Sequence, residues 1–514
     1  MTVLPPAVLP AISENEVAHR ARRLGIDTGQ EAVVYLHRDS AVVRSEGFDS
    51  QTRIEVRNGS RMIRATLGVV TGGLLEHDEA GLSEAAWGRL RAEENAPLCF
   101  SHPRPLASLR HVRAKIHGNR LDAAALAEVI QDVAQGSYSD IHIASFLTAC
   151  AGGRLDRQET IDLTRTMVAV GERLSWSRDL VLDKHSVGGL PGNRTSPILV
   201  PIVAAAGLLM PKTSSRAITS PAGTADVMET LAPVDLDAAA MRRVVEREGG
   251  CLVWGGAARL SPADDLLIRV ERPLELDATG QLVASVLSKK AAAGATHVLV
   301  DMPVGPRAKI RGLEAARRLD AELRDVGQAM GLQVRPVLTD GAQPVGRGVG
   351  PALEARDVTA VLRNEPEAPQ DLRARALLLA GHLLELAAAA PVGSGEALAR
   401  DILDDGRAWR KFTAICEAQG GLRTPPVAAH SRPVTAGRAG RVAAIDNRRL
   451  ARVAKLAGAP RDRAAGLVIH VRLGDAVGVG DPLFTVHAET AGELAYALTY
   501  AASRPRIVEL EPDA

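Results

Sequence analysis

Between an apolar LVL run and the apolar stretch ILVPIVAAAG lies DKHSVGGLPGNRTSP, Asp183 to Pro197. This segment holds Lys184, His185, Arg194, three hydroxyl side chains and three glycines. A strand that passes through a glycine turn into a helix start is a device for holding an oxyanion. Glycines let backbone N–H groups come close to the anion. The helix start adds unpaired N–H donors and the positive end of its dipole. Lys184 adds a full charge, and Ser186, Thr195 and Ser196 add donors. Ser196 is the expected cap, with Pro197 at the first helical position. Pro201 should bend the helix, because it removes an internal hydrogen bond. The spacing matches neither a Walker loop nor a dinucleotide fingerprint.

An ordinary turn with solvated polar residues would share this composition, but a second segment argues against that. PKTSSRAITSPAGTADVMETL, Pro211 to Leu231, also follows an apolar run. It brings Lys212, Thr213, Ser214, Ser215, Arg216, Ala217, Ile218, Thr219, Ser220 and Thr224. Two such loops can converge at the carboxyl ends of parallel strands, where open sheets bind ligands. Together they imply a ligand carrying phosphate. In a third segment Ser285 and Lys289 lie four apart and share a helix face. Asp277 stands just before that helix, and Lys309 follows DMPVGPRA, another strand-to-loop passage.

Several elements must position these residues. Residues 1–90 read as a β-rich domain. Its EAVVYLHRDSAVVRSEG segment suggests two short strands, and Asn58-Gly59 signals a hairpin. APLCFSHPRPLAS reads as a linker. Residues 106–179 look helical; Asp122 should cap one helix, with Leu126, Val129, Ile130 and Val133 on its apolar face and Gly136 ending it. Residues 180–424 alternate apolar runs with helices, the pattern of a parallel α/β domain. Residues 425–514 form a C-terminal α+β, barrel-like unit. Part of it, GDAVGVGDPL, looks like a biotinyl or lipoyl carrier but lacks the lysine that carries the cofactor.

Composition sets bounds. A chain of 514 residues suggests about three to four domains. Sixty-two basic against 61 acidic residues give a net charge of +1, which argues against a general polyanion-binding surface. The four cysteines are scattered and form no CxxC pair, so neither a disulfide framework nor a zinc site is expected. No secretory signal and no membrane-spanning run is evident, so a cytoplasmic location is expected.

The blocks DKHSVGGLPGNRT, SSRAITSPAGTADVMETLAPV, LVWGGAARLSPADD, QLVASVLSKKAAAGA and DMPVGPRAKI resemble the thymidine/pyrimidine nucleoside phosphorylase family, in its long branch that includes AMP phosphorylases. The resemblance covers nearly the whole chain. It implies a small helical domain, joined by a returning segment near 262–292, facing a larger α/β domain of the nucleoside-phosphorylase/phosphoribosyltransferase type. An N-terminal β domain and a C-terminal α+β domain complete the chain. It also implies phosphorolysis: inorganic phosphate displaces the base from a nucleoside, giving a pentose 1-phosphate. The partners are small molecules, with no metal or organic cofactor, no nucleic acid and no membrane, and the enzyme is a homodimer or larger.

Residue by residue, Lys184, Ser186, Ser196, Ser215 and Thr224 match phosphate-contacting positions of the family. His185, Ser285 and Lys289 match base-side positions. Gly189, the run Ser215, Arg216, Ala217, Ile218, Thr219 and Ser220, and Lys309 match nucleotide-binding positions in the AMP branch, where Asp277 matches the proton donor. Ser220 stands where the short branch has a histidine. Arg269 and Arg272 lie near the short branch's base-side arginine, but one residue out of register. Thymidine is the family's default substrate; a nucleoside 5'-monophosphate such as AMP is the close alternative. A phosphoribosyltransferase and a nonenzymatic nucleotide sensor are the more distant ones.

Overall fold

The computed structural model describes residues 18–217, 220–257, 260–274, 276, 278–504 and 506–512. The chain divides into two compact units, residues 1–149 and 150–514. No helix among the described residues is long and apolar enough to cross a membrane.

In the first unit six strands close into a barrel, in the order His19–Arg23, Glu79–Leu82, Val33–His37, Arg61–Val70, Arg53–Asn58, Pro97–Ser101. Val34, Leu36, Ile54, Val56, Leu67, Leu82 and Leu98 alternate inward and fill it. The Asn58-Gly59 hairpin forms, with Asn58 opposite Arg61. Two sequence expectations are corrected. AVVRSE, expected as a strand, is the helix Ala41–Glu46, because the Ser40 side chain caps it and Gly47 ends it in the left-handed region. The proline-rich linker contains the strand Pro97–Ser101, which pairs on both sides to close the ring. Beyond the barrel, the helix Ala123–Ala134 is capped by Asp122 and buries Leu126, Val129, Ile130 and Val133.

In the second unit the strands Gln333–Asp340, His297–Val304 and Leu182–Ser186 lie side by side, all parallel. Met210–Ser214 and Gly250–Trp254 form a second parallel pair, and the Leu182 N–H donates to the Leu209 carbonyl at 2.9 Å, linking the two sheets. The register places Ser186 beside Asp301 at the carboxyl ends. The helix Ser196–Ala205 is buried along most of its length and runs continuously through Pro201. Thr195 rather than Ser196 occupies its cap position; its hydroxyl makes no capping bond and points to other work. The helices Arg157–Ala169 and Thr279–Ala292 pack together through Ile161, Val168, Val283, Val286 and Leu287.

The C-terminal strands form two small sheets over one core built on Leu450, Leu467, Phe484 and Val486. Among the described residues the two sheets do not close into a ring, and the Ala476–Val477 strand pairs with Gly440–Ile445 alone.

Candidate active site

Lys184 sits on the Leu182–Ser186 strand with its side chain buried. Its Nζ donates to Thr195 Oγ1 at 2.9 Å and lies 3.7 Å from Asp301 Oδ2. Burial pulls this ammonium down to about 8, against the opposing pull of Asp301. Asp301 is fully buried and also accepts from Thr339 Oγ1 at 2.6 Å and Asn193 Nδ2 at 3.0 Å. Asn193 Nδ2 also approaches Ser186 Oγ at 3.5 Å. These donors fix the carboxylate, which in turn holds the lysine in place.

The neighbouring Asp183 is buried between two more lysines. Lys290 Nζ lies 2.8 Å from one oxygen and Lys212 Nζ 3.4 Å from the other. Burial lowers the Lys290 ammonium below its ordinary value. Three buried lysines thus face two buried aspartates on this strand and its neighbouring elements. His185 lies among them. Burial, with Lys290, Lys289, Lys212 and Lys184 nearby, drives its pKa well below the usual range, so its imidazole is neutral at neutral pH.

Arg194 brings the two glycine-and-hydroxyl loops together. Its Nη1 donates to Thr224 Oγ1 at 3.0 Å and its Nη2 to the Ala222 carbonyl at 2.8 Å. Its Nε pairs at 2.7 Å with Glu354, a buried carboxyl that burial pushes up to about 7. Thr195, which receives Lys184, is the next residue. Lys184 and Thr224 are therefore two hydrogen bonds and one peptide step apart.

The second loop is held from within. Asp226 Oδ2 accepts the backbone N–H groups of Ala217 at 2.6 Å and Gly223 at 2.7 Å. Ser220 Oγ donates to the Ala222 carbonyl at 2.8 Å. Arg216 pairs with Glu229 at 2.8 Å, Asp235 at 3.4 Å and Asp226 at 3.5 Å, and its guanidinium stacks 4.9 Å from the Trp254 ring. Ser215 is exposed. Ser214 Oγ is buried without a hydrogen-bond partner among the described residues, as is Arg375 Nη1, whose charge lies close enough to Asp301 and Lys184 to act on both. Unpaired buried donors are uncommon and suit a site that completes its bonding with ligand.

Lys289 donates to Ser285 Oγ at 3.0 Å and forms a short ion pair with buried Asp264. Ser196 is buried at the helix start. Lys309 is exposed, and its backbone lies against Gly189: a Cβ added there would stand 3.0 Å from Lys309 Cβ, and φ is +84°. Asp277, Ile218 and Thr219 lie outside the described residues. Among the described residues one trio of possible metal ligands clusters, His37, Asp39 and His77 in the barrel unit. There His37 Nδ1 accepts the Asp39 N–H at 3.1 Å, which puts the proton of the neutral ring on Nε2, and Asp39 pairs with Arg44. His37 and Asp39 form a hydrogen-bonded turn, and His77 stacks on the His37 ring with centroids 4.3 Å apart.

Against known proteins, the helical bundle domain of the glycosyl transferase family matches residues 110–171 and its a/b domain residues 178–409. The pyrimidine nucleoside phosphorylase C-terminal domain matches residues 441–507. A protein of Polaromonas sp. (strain JS666 / ATCC BAA-500) named "Putative thymidine phosphorylase" is 64% identical over 510 residues, covering 99% of both chains. The chain belongs to the thymidine phosphorylase family. A relative from Acidovorax sp. (strain JS42), named "Putative thymidine phosphorylase 1", is 64% identical over 98% of both chains. Among solved structures, anthranilate phosphoribosyltransferase from Thermus thermophilus aligns at 20% identity with a TM-score of 0.49, over 60% of this chain and 98% of its own.

Three residues of this candidate site escaped sequence reasoning, Asn193, Asp301 and Arg375, while Arg194 was read only as one of the motif's charges. Asn193 and Arg194 sit inside the quoted motif, so their neighbourhood was visible, but not the distant carboxylates Asp301 and Glu354 that orient them. Asp301 left a weaker signal: a lone charge inside the apolar strand His297–Val304.

Proposed function

We propose that this thymidine phosphorylase-family enzyme phosphorolyses a nucleoside, with thymidine as its default substrate. An oxygen of inorganic phosphate forms a bond to the anomeric carbon while the bond from that carbon to the base breaks. The electron pair leaves with the base, which takes up a proton or a strong hydrogen bond, and the sugar departs as its 1-phosphate. One observation carries this reading: the buried Lys184 ammonium and the Thr224 hydroxyl belong to one network through Thr195 and Arg194. Together with Ser186, Ser196 and Ser215 they would orient the phosphate. Protein cations supply the charge in this scheme, so activity should survive EDTA. Neutral His185, Ser285 and Lys289 would meet the base, His185 as a hydrogen-bond donor rather than a source of a full proton. Asp277 remains the proposed proton donor.

The AMP-type alternative needs a cation for a second phosphate. Arg216, the cation of the second loop, is already matched by Glu229, Asp226 and Asp235, so exposed Lys309 would have to supply that charge. Initial rates with thymidine, uridine, AMP and CMP, each with phosphate, test the reading. Thymine release from thymidine is the expected result. AMP turnover with inert thymidine would replace the substrate, and no base release from any of the four would end the reading. We also propose a cytoplasmic homodimer; the mass of the purified enzyme in solution tests the oligomeric state.

A further inference from the structure

The loop between the strand His297–Val304 and the helix Leu313–Ala329 carries Lys309 and touches Gly189. Short internal bonds shape it: the Gly305 N–H donates to the Ile310 carbonyl at 3.0 Å, and the Ala308 N–H to the Gly305 carbonyl at 3.1 Å. Buried Ala308 and Ile310 anchor it in the core, and Arg307 ties it to the C-terminal domain. Nη1 of Arg307 reaches Asp446 Oδ2 at 2.7 Å, and Nη2 reaches Glu509 Oε1 at 2.9 Å. Both acceptors belong to the C-terminal domain. One is the cap of the helix Asn447–Leu456 and the other lies on the strand Val508–Glu511.

Asp446 is itself fixed. Its other oxygen accepts the Arg448 and Arg449 N–H groups at 3.1 and 3.0 Å, and its own N–H donates to the Ile507 carbonyl at 2.8 Å. The next residue, buried Asn447, donates to the Gly341 carbonyl at 3.2 Å, and the Gly341 N–H donates to the Val304 carbonyl at 2.9 Å. The C-terminal domain thus grips the loop at Arg307 and the end of its parent strand through Gly341. A guanidinium held by two carboxylates on separate elements has a defined direction, which one flexible pair would not give.

We propose that Arg307 is a positioning residue through which the C-terminal domain holds the Lys309 loop, and Gly189 behind it, in register for substrate. The inference rests on the proposed function and on the family resemblance, in which Lys309 and Gly189 match nucleotide-binding positions. Gly189 shares its loop with Lys184, but the phosphate network of Lys184, Thr195 and Arg194 has no bond to Arg307 among the described residues, so the larger effect should fall on the nucleoside.

Arg307→Ala is compared with Asp446→Asn, which keeps the capping oxygen while removing the charge, so the helix retains its start. Both variants should raise KM for the nucleoside, by about tenfold for Arg307→Ala. The phosphate KM and kcat should stay within about twofold of wild type. The double variant should be no worse than Arg307→Ala. Hydrogen exchange of residues 305–312, read on the same full-length proteins, should quicken in both. Unchanged exchange in that segment overturns the proposal, as does a loss of melting temperature with unchanged nucleoside KM, or an equal rise in both KM values. The exchange readout needs no turnover. A wild-type protein inactive on every nucleoside would defeat the proposed function, while the exchange comparison would still decide whether Arg307 holds the loop.

Discussion

The two loops that converge on Arg194 are built in opposite ways. The Asp183–Thr195 loop supplies charge: its lysine is buried, its carboxylate partners are buried, and most of their polar atoms are matched. The Ser214–Thr224 loop supplies shape. Its backbone N–H groups are gathered by Asp226, and its arginine turns to three carboxylates and an indole ring. Removing a charge from a desolvated place costs far more than removing one that solvent already screens. Under the proposed reaction, the contrast would give electrostatic capture to one loop and fit to the other.

The strongest way to break this contrast is Lys184→Ala. It should lower kcat/KM for phosphate by about 10²–10³-fold, as expected for loss of a main oxyanion contact. Steady-state kinetics with varied phosphate check it; a loss under tenfold would move the charge-bearing role elsewhere.

A smaller effect comes from pH. Lys184 keeps its proton below about 8, so the phosphate KM should climb above that pH, by up to about tenfold per unit. The ordinary lysine value is about 10.4, so between the two values the unfolded chain binds more protons than the folded one. The cost of the buried ammonium is full below about 8, and stability contributed at this site rises as pH climbs through that window. A flat phosphate KM from about pH 7 to about pH 9.5 would contradict the assignment.

The smallest effect should come from Arg216→Ala. Its ion pairs are partly exposed, so stability should change by about 1 kcal/mol or less, with thymidine kinetics within about twofold. A tenfold loss on AMP with thymidine unaffected would reverse the contrast and make this loop a second anion site.

How much of this was legible in the sequence follows from the range of the interactions. The strand–glycine turn–helix device at Asp183–Pro197 could be read because its parts are adjacent, and so could the Asn58-Gly59 hairpin and the Asp122 cap. The helix Ala41–Glu46 was misread because two valines outweighed its boundary residues, Ser40 and Gly47. The Pro97–Ser101 strand was hidden by neighbouring prolines, although it sits where two partner strands supply its bonds. Arg194 shows the firmer limit. Its partner Glu354 is 160 residues away, and only the fold reveals that this arginine joins the two loops instead of facing solvent.

The stacking of Arg216 on Trp254 has an optical consequence. The chain has four tryptophans, and Trp254 lies beside the hydroxyl-rich loop, where the Gly255 N–H donates to the Ser214 carbonyl at 2.9 Å. A cation resting on an indole face alters its emission, so a shift of this loop should register as a change in intrinsic fluorescence. The enzyme carries its own dye beside the loop proposed to fit the substrate, and stopped-flow mixing can time a shift there without any label.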